Sequence, residues 1–408
     1  MVKSQHRQGI IDLFLVLLLF CISGNPAFTL TVPLGKIIYG IALVIILVVT
    51  GFKIKEKALK NAALWLGFLG VIFAAQYLQF GYITLLGSLN FAVKMLCAIL
   101  LASYLGERFP ETAIRVMAGI CLVSLVFYLI NLAGVRFHSP IKITTKGEAL
   151  ILYTQTWEDP YHQEFFRNSG MFWEPGAFAG YIMAVLLLFV DKARLLLTRF
   201  RWHFLILSLA LLTTTSTTGY ITYALLMVFF ILQWGSKSRY RIYIYLVAGL
   251  VIVGAVFAFT NIDFLGDKLK KEMTVAEKQK ESDVNFSRIG SLVFDMQYIV
   301  SHPLFGNGLS GLTRFRYHLG VYDEEDLSGF GNGFSGCIAT MGVLFMLAYL
   351  ISIGTNQTLR RWWIVILMII LLLQGEYFLS YPFFMMFPFI RYGPPKEVRR
   401  KRLAIKWK

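Results

Sequence analysis

The sequence predicts an all-α fold, a polytopic membrane helix bundle of about 12 transmembrane helices. Three observations predict it. Of 408 residues, 57% are hydrophobic and 15% are charged, an apolar balance well beyond that of soluble globular domains. The apolar residues are gathered into runs near the roughly 20 residues that a ~30 Å hydrocarbon core requires. Lysines and arginines collect in short connections that alternate with long ones, the pattern of the positive-inside rule.

Residues 1–134 carry the first five spans, near 10–24, 37–52, 62–79, 87–105 and 112–134. The opening, Met1 to Gln8 followed by Gly9 to Ile22, has the shape of a signal peptide. No small-x-small cleavage site follows it, so it reads as an uncleaved first span. Residues 135–171 form a first outer loop. Residues 172–260 hold the central spans, near 172–190, 203–218, 220–234 and 242–260. Two of these share the stretch Trp202 to Trp234, which leaves each about 24 Å long at 1.5 Å per residue, short of a 30 Å core. The tip of their hairpin therefore lies below the outer surface.

Residues 261–331 are too long for a plain connection and form a second, partly helical outer loop. Asp267 to Asp283 is charged all round, a solvated helix. From Arg288 the apolar residues Ile289, Leu292, Val293, Met296, Ile299 and Val300 recur as on an amphipathic helix. Its apolar face meets the bundle or the lipid interface, with Arg288, Ser291 and Asp295 opposite. His302-Pro303-Leu-Phe-Gly306-Asn-Gly308 ends it in a turn. Residues 332–390 hold the last spans, near 332–353, 362–375 and 377–390, and 391–408 form a basic tail.

Charge placement sets orientation. Lys53, Lys55, Lys57 and Lys60; Lys192, Arg194, Arg199 and Arg201; Lys237, Arg239 and Arg241; and Arg360 with Arg361 all fall on cytoplasmic connections, as do Arg399 to Arg402. Both termini are then inside and both long loops outside. The net charge of +16 thus reads as topology and anionic-lipid contact rather than nucleic-acid binding. Cys21, Cys97, Cys121 and Cys337 show neither CxxC nor Cys/His spacing, so neither a disulfide framework nor a metal site is expected.

The polar groups that interrupt this pattern are the candidate site. Arg167-Asn-Ser-Gly-Met-Phe-Trp-Glu174-Pro-Gly176 runs straight into an apolar span, and charge at a helix mouth in lipid is costly and usually functional. Glu174 stands in the first turn ahead of Pro175, where the helix dipole favours its ionised form. Gly176 and Gly180 form a small-xxx-small pair suited to close helix packing. Thr213 to Thr218, closed by Gly219, is the second interruption; its hydroxyls either line a depression or bond back to carbonyls one turn earlier.

Four elements in order resemble the Wzy-type O-antigen polymerases, within the group that includes the O-antigen ligases. They are Arg167-x-x-Gly170 with Phe172-x-Glu174-Pro-Gly176; Thr214-x-Ser216-Thr-Thr-Gly219; Ser287-Arg288 followed by His302 to Gly308; and Gly331-Asn332-Gly333 opening a late span. The resemblance covers about residues 165 to 345. It implies a GT-C-type bundle and a metal-independent glycosyltransferase without cofactor, in the bacterial cytoplasmic (inner) membrane with its active site facing the periplasm or exterior. The partners implied are an undecaprenyl-diphosphate-linked oligosaccharide donor and acceptor, membrane lipids and a chain-length regulator.

The resemblance casts Arg167, Glu174 and Arg288 as catalytic. Arginine suits a departing diphosphate because its planar fork binds phosphate oxygens bidentately and stays charged. Glu174 serves first to orient Arg167 and second as a base. Ser216, Thr217, Arg314, Arg316, Asn332 and His302 are candidates for substrate binding. For Arg314 and Arg316 an ion pair or headgroup contact is the simpler reading; His302, like His162 and His318, reads as structural first. Asp323 to Asp326 reads as a solvated acidic run or an acceptor contact. The alternatives are an O-antigen ligase or related transferase, and a lipid-linked oligosaccharide flippase or other transporter. The ligase branch carries an essential histidine late in the long outer loop; Gly329 to Gly336 holds none here. No internal repeat of the transporter kind is present.

Overall fold

The computed structural model describes residues 2–29, 34–52, 54–139, 141–143, 147–157, 166–235, 288–316 and 332–392. The chain is predominantly helical. Its first half contains α1 (Val2–Ile22), the single turn α2 (Pro26–Thr29), α3 (Leu34–Val49), α4 (Glu56–Phe80), α5 (Leu85–Leu105) and α6 (Phe109–Leu132). After a small sheet come α7 (Pro175–Leu187), α8 (Ala193–Thr198), α9 (Arg201–Thr213) and α10 (Thr217–Gly235). Then follow α11 (Arg288–Ser301), α12 (Gly311–Arg314), α13 (Gly333–Gly354) and α14 (Trp362–Leu373).

Among the described residues, three stretches are long and apolar enough to cross a membrane: α4, the run Leu85–Leu132 that contains α5 and α6, and α13. Five more apolar helices are shorter, among them α7, α9 and α14. The long run is not straight. It bends at Gly106, whose φ of 54° lies where side chains crowd the backbone. The expected span at 242–260 lies outside the described residues, as do the charged helix at 267–283, the acidic run at 323–326 and most of the basic tail.

At the centre stands α7. Every residue from Ala177 to Val190 is buried, so this helix is apolar all round because protein surrounds it all round. Gly180 gives the ring of Phe378 its place, since a β-carbon there would sit 2.1 Å from that ring.

Contacts between connections sort the bundle into two ends. Arg108 pairs with Asp12 at 2.6 Å, Arg199 with Glu111 at 3.3 Å and Arg361 with Asp191 at 3.0 Å. A cleft lined by Lys57, Glu107, Thr355 and Arg391 lies at this same basic end. The opposite end carries the sheet, the α9–α10 turn and the first residues of α7 and α13.

Two findings differ from the sequence expectation. The stretch 377–390 is not one helix but a chain of single turns, Phe378–Ser380, Pro382–Met385 and Phe387–Phe389. It runs from Glu376, whose carbonyl abuts Gly333, to Arg391 at the basic end, so it does traverse the bundle. Pro382 and Pro388 lack the N–H a helix needs. The irregular backbone is tolerated because it is buried within protein. The loop at 135–171, for its part, holds a four-stranded antiparallel meander, β1 (Ile141–Ile143), β2 (Gly147–Ala149), β3 (Thr154–Trp157) and β4 (Phe166–Asn168), in order β1-β2-β3-β4. Thr156 pairs with Arg167 across β3 and β4.

The turn after α11 has a role beyond stopping a helix. Inside α13, Gly342 leaves helical geometry at φ 84° and ψ 165°. Into that break docks the His302 to Gly308 segment, with Asn307 N donating to Ala339 O at 2.9 Å and Gly308 N to Thr340 O at 3.0 Å. In return Val343 N donates to Pro303 O at 2.8 Å. Gln76 of α4 clamps the joint by donating to Phe305 O and Thr340 O. Gly306 and Gly342 are glycine because both have positive φ and a β-carbon on either would lie 2.4 Å or less from a carbonyl oxygen.

Candidate functional site

β4 is short and edge-placed, but its residues are fixed from below. Asn168 Nδ2 donates to Thr213 Oγ1 at 2.8 Å and Thr156 Oγ shares a 2.6 Å hydrogen bond with Ser169 Oγ. This holds Arg167 over the α9–α10 turn. Its Nε donates to Thr215 Oγ1 at 2.7 Å and to Thr214 O at 3.2 Å, and its Nη2 to Thr215 O at 2.9 Å. Thr215 has φ 49°, the left-handed region that a β-branched residue rarely enters and that marks stored strain. The guanidinium therefore grips a strained turn. Thr213, Thr214 and Thr222 bond back to carbonyls one turn earlier, the bland use of such hydroxyls. Ser216 is buried and accepts from Gly219 N at 3.3 Å, while Thr217 Oγ1 is buried with no hydrogen-bond partner.

Glu174 is the N-cap of α7, extended at φ −158°, with Pro175 following. Among the described residues no ion pair joins it to Arg167. Instead its Oε1 lies 3.0 Å from where a β-carbon on Gly176 would stand, and Oε1 of Glu376 lies 3.3 Å from the same point. Two carboxylates thus converge on Gly176, which puts no side chain between them. Glu376 Oε2 accepts from Trp173 Nε1 at 3.2 Å. Trp173 stacks on Tyr381, ring centroids 4.9 Å apart and 25° from parallel. The orienting work that the sequence reading gave to Glu174 belongs to the turn, and Glu174 faces a second carboxylate.

No protein-family model matches the chain, and no curated protein matches it in sequence. The chemistry is therefore argued from the site alone.

The remaining candidates scatter. Arg288 starts α11, and its side chain lies outside the described residues, as do His162 and His318. Arg314 is buried on α12, paired with Asp295 and set over the rings of Tyr298 and Phe315 at 4.8 Å each. Asp295 also accepts from Ser335 Oγ at 2.5 Å; burial pushes its carboxyl above the usual range, against the pull of Arg314. So Arg314 ties α11 and α12 to α13. The two open placements of α11 are decided by burial: Ser291 and Asp295 are fully buried, while Val293 and Val300 are 62% and 72% exposed. Its polar side meets the bundle.

Asn332 caps α13, its Oδ1 accepting from Phe334 N and Ser335 N at 3.1 Å each while Nδ2 donates to Gln374 at 2.9 Å. That is a structural use of the whole side chain, where the sequence suggested substrate contact. His302 packs edge-on against Phe80, and Arg316 lies over the same ring at 5.1 Å. Burial and Arg316 both hold the His302 imidazole below its ordinary range. Among the described residues no group of His, Cys, Asp and Glu is placed to hold a metal ion. All four cysteines are free.

Glu376 was not singled out from the sequence, although a signal existed: it is an acid inside an otherwise apolar stretch, Ile364 to Phe389, where charge is costly.

Proposed function

We propose that the chain is a polymerase that joins oligosaccharide units carried on undecaprenyl diphosphate, at the outer face of the bacterial cytoplasmic membrane. The observation that carries the reading is the pair of carboxylates converging on Gly176 at the start of buried α7, at the same end of the bundle as an arginine held in a fixed orientation by a strained turn. The collection of basic connections at the far end supports an orientation with the carboxylate pair outside.

A hydroxyl of the incoming unit attacks the anomeric carbon of the growing chain. The new glycosidic bond forms as the bond from that carbon to the phosphate oxygen breaks, and the lipid diphosphate departs with the electron pair. Glu174 or Glu376 accepts the hydroxyl proton, the other orienting the sugar; both carboxylates converge on Gly176. Arg167 meets the charge developing on the diphosphate. Its fork is pre-aimed by three hydrogen bonds, so little reorganisation is needed as charge builds. No step uses a metal.

The test is the purified chain in nanodiscs with a defined lipid-linked repeat unit and EDTA, scored for a length ladder and released undecaprenyl diphosphate. Wild type should give both. Glu174→Gln and Glu376→Gln should each lose most of the rate. Absence of any ladder from wild type with its cognate unit, or full activity in the double Gln variant, refutes the reading.

A further inference from the structure

A lysine in the middle of a membrane helix is the feature the reaction above leaves unused. Lys94 lies nine residues into α5, about 14 Å along its axis. It sits within the run Leu85–Leu132, which is apolar enough to span a membrane. Its ammonium lies 4.4 Å from the ring centroid of Tyr39 and 5.6 Å from that of Tyr381. Among the described residues it has neither an ion pair nor a hydrogen bond, and the hydroxyls of Tyr39 and Tyr381 have none either. An ammonium and two tyrosine rings therefore meet from α3, α5 and the broken C-terminal traverse, and among the described residues no anion pairs with the ammonium. Two tyrosine faces ease the cation, but they do not replace an anion. An embedded ammonium without one is expensive, and such residues mark ligand paths.

The cluster is linked to the carboxylate pair. Tyr381 stacks on Trp173, which donates to Glu376. Away from the carboxylate pair, the α3–α5 seam presents Ile37, Ile41, Leu86 and Leu89, all exposed and apolar, a surface along which a polyprenyl tail can lie.

We propose that Lys94, with the hydroxyls of Tyr39 and Tyr381, is a second anion site that holds the diphosphate of the acceptor lipid. The proposal rests on the polymerase reading, because that reaction needs two lipid diphosphates at once: one departs and one must stay. The two sites differ as those tasks differ. A planar fork fixed by hydrogen bonds suits the transition-state geometry of a leaving diphosphate. An ammonium on a flexible stem is a point charge, which holds an anion without shaping a reaction at it.

The experiment counts undecaprenyl diphosphate bound per full-length chain by native mass spectrometry, with undecaprenyl phosphate and phosphatidylglycerol as separate probes. Wild type should bind two undecaprenyl diphosphates. Lys94→Met should bind one and lose at least tenfold in affinity at the other site, Lys94→Arg should recover the second, and Tyr39→Phe and Tyr381→Phe should each weaken it. Arg167→Ala should lose the other lipid, so that Arg167→Ala with Lys94→Met binds none. Phosphatidylglycerol competing as well as undecaprenyl diphosphate at the Lys94 site would assign it to a phospholipid headgroup and overturn the proposal. Two lipids on Lys94→Met would do the same. Because Lys94 has no ion pair or hydrogen bond among the described residues, Lys94→Met should unfold no earlier on heating than wild type; a lower midpoint in the lipid-free state makes the lysine structural and also overturns it. The counting needs no sugar transfer. A wild-type chain that binds two lipids, one lost with Lys94, but makes no polymer refutes the polymerase reading and leaves the site standing.

Discussion

Arg167→Lys separates a residue that shapes a turn from one that also meets substrate. The guanidinium makes three hydrogen bonds of 2.7 to 3.2 Å to Thr214 and Thr215. A lysine ammonium reaching the same place keeps the charge and makes about one of them. Two hydrogen bonds to a charged group are lost, each contributing about 1.5 kcal/mol at the lower end of their range, which is the appropriate end for a half-buried side chain. The expected loss is about 3 kcal/mol, or roughly 100-fold if all of it is felt in the transition state. The assay is the rate of repeat-unit incorporation at saturating lipid-linked unit, with expression matched.

A second substitution tells the two roles apart. Thr215→Gly removes the strain of a β-branched residue at φ 49°, a strain of about 1–3 kcal/mol, along with the Oγ1 acceptor. If Arg167 only restrains the turn, Thr215→Gly should rescue most of the loss in Arg167→Lys. If Arg167 also binds the departing diphosphate, the double variant should stay near the hundredfold deficit. An Arg167→Lys chain within twofold of wild type, or one fully rescued by Thr215→Gly, refutes the role given to Arg167.

Three further outcomes follow from the fold. Arg314→Met should destabilise the detergent-solubilised chain by about 3–5 kcal/mol because it strands the Asp295 carboxylate in the interior, and Asp295→Asn added to it should recover much of the loss; additive losses in the thermal midpoints would contradict a buried pair. Burial raises the Asp295 carboxyl above its unfolded value, so its contribution is most favourable at low pH and is lost as pH rises through the folded pKa; Asp295→Asn should therefore narrow its midpoint deficit, or gain, relative to wild type as pH climbs from about 4 to 7, and the opposite trend counts against the assignment. Gly342→Ala puts a β-carbon 2.1 Å from Leu304 O at φ 84° and should abolish a monodisperse peak on size-exclusion chromatography, whereas Gly354→Ala, with no neighbour nearer than 3.7 Å, should leave it intact.

What the sequence made legible depended on how many residues had to agree. Spans 62–79 and 112–134 correspond to α4 and α6 because long apolar runs tolerate local exceptions. The stretch 377–390 passed the same apolar test, yet Pro382 and Pro388 divide it into turns. Apolarity reports that a segment is buried, not that it is helical. The meander was missed for the opposite reason: strands of three or four residues show too few alternations to be told from a loop, and the register that brings Arg167 beside Thr156 belongs to the pairing rather than to either strand alone. Arg167 was visible as a charge at a span mouth, but its partner was not, because Thr215 is 48 positions away and its positive φ leaves no mark on a Thr-rich run. The pairing with Glu174 was inferred from proximity in sequence, which a helix cap and a strand end need not preserve in space. Glu376 and Lys94 teach the complementary lesson. Each is a single charge in an apolar stretch, and a span search averages it away as noise. Such residues contribute least to the signal that identifies a membrane helix and cost most to bury in one. Ranked by the apolarity of their surroundings, lone charges single out the second carboxylate and the embedded lysine from the sequence itself.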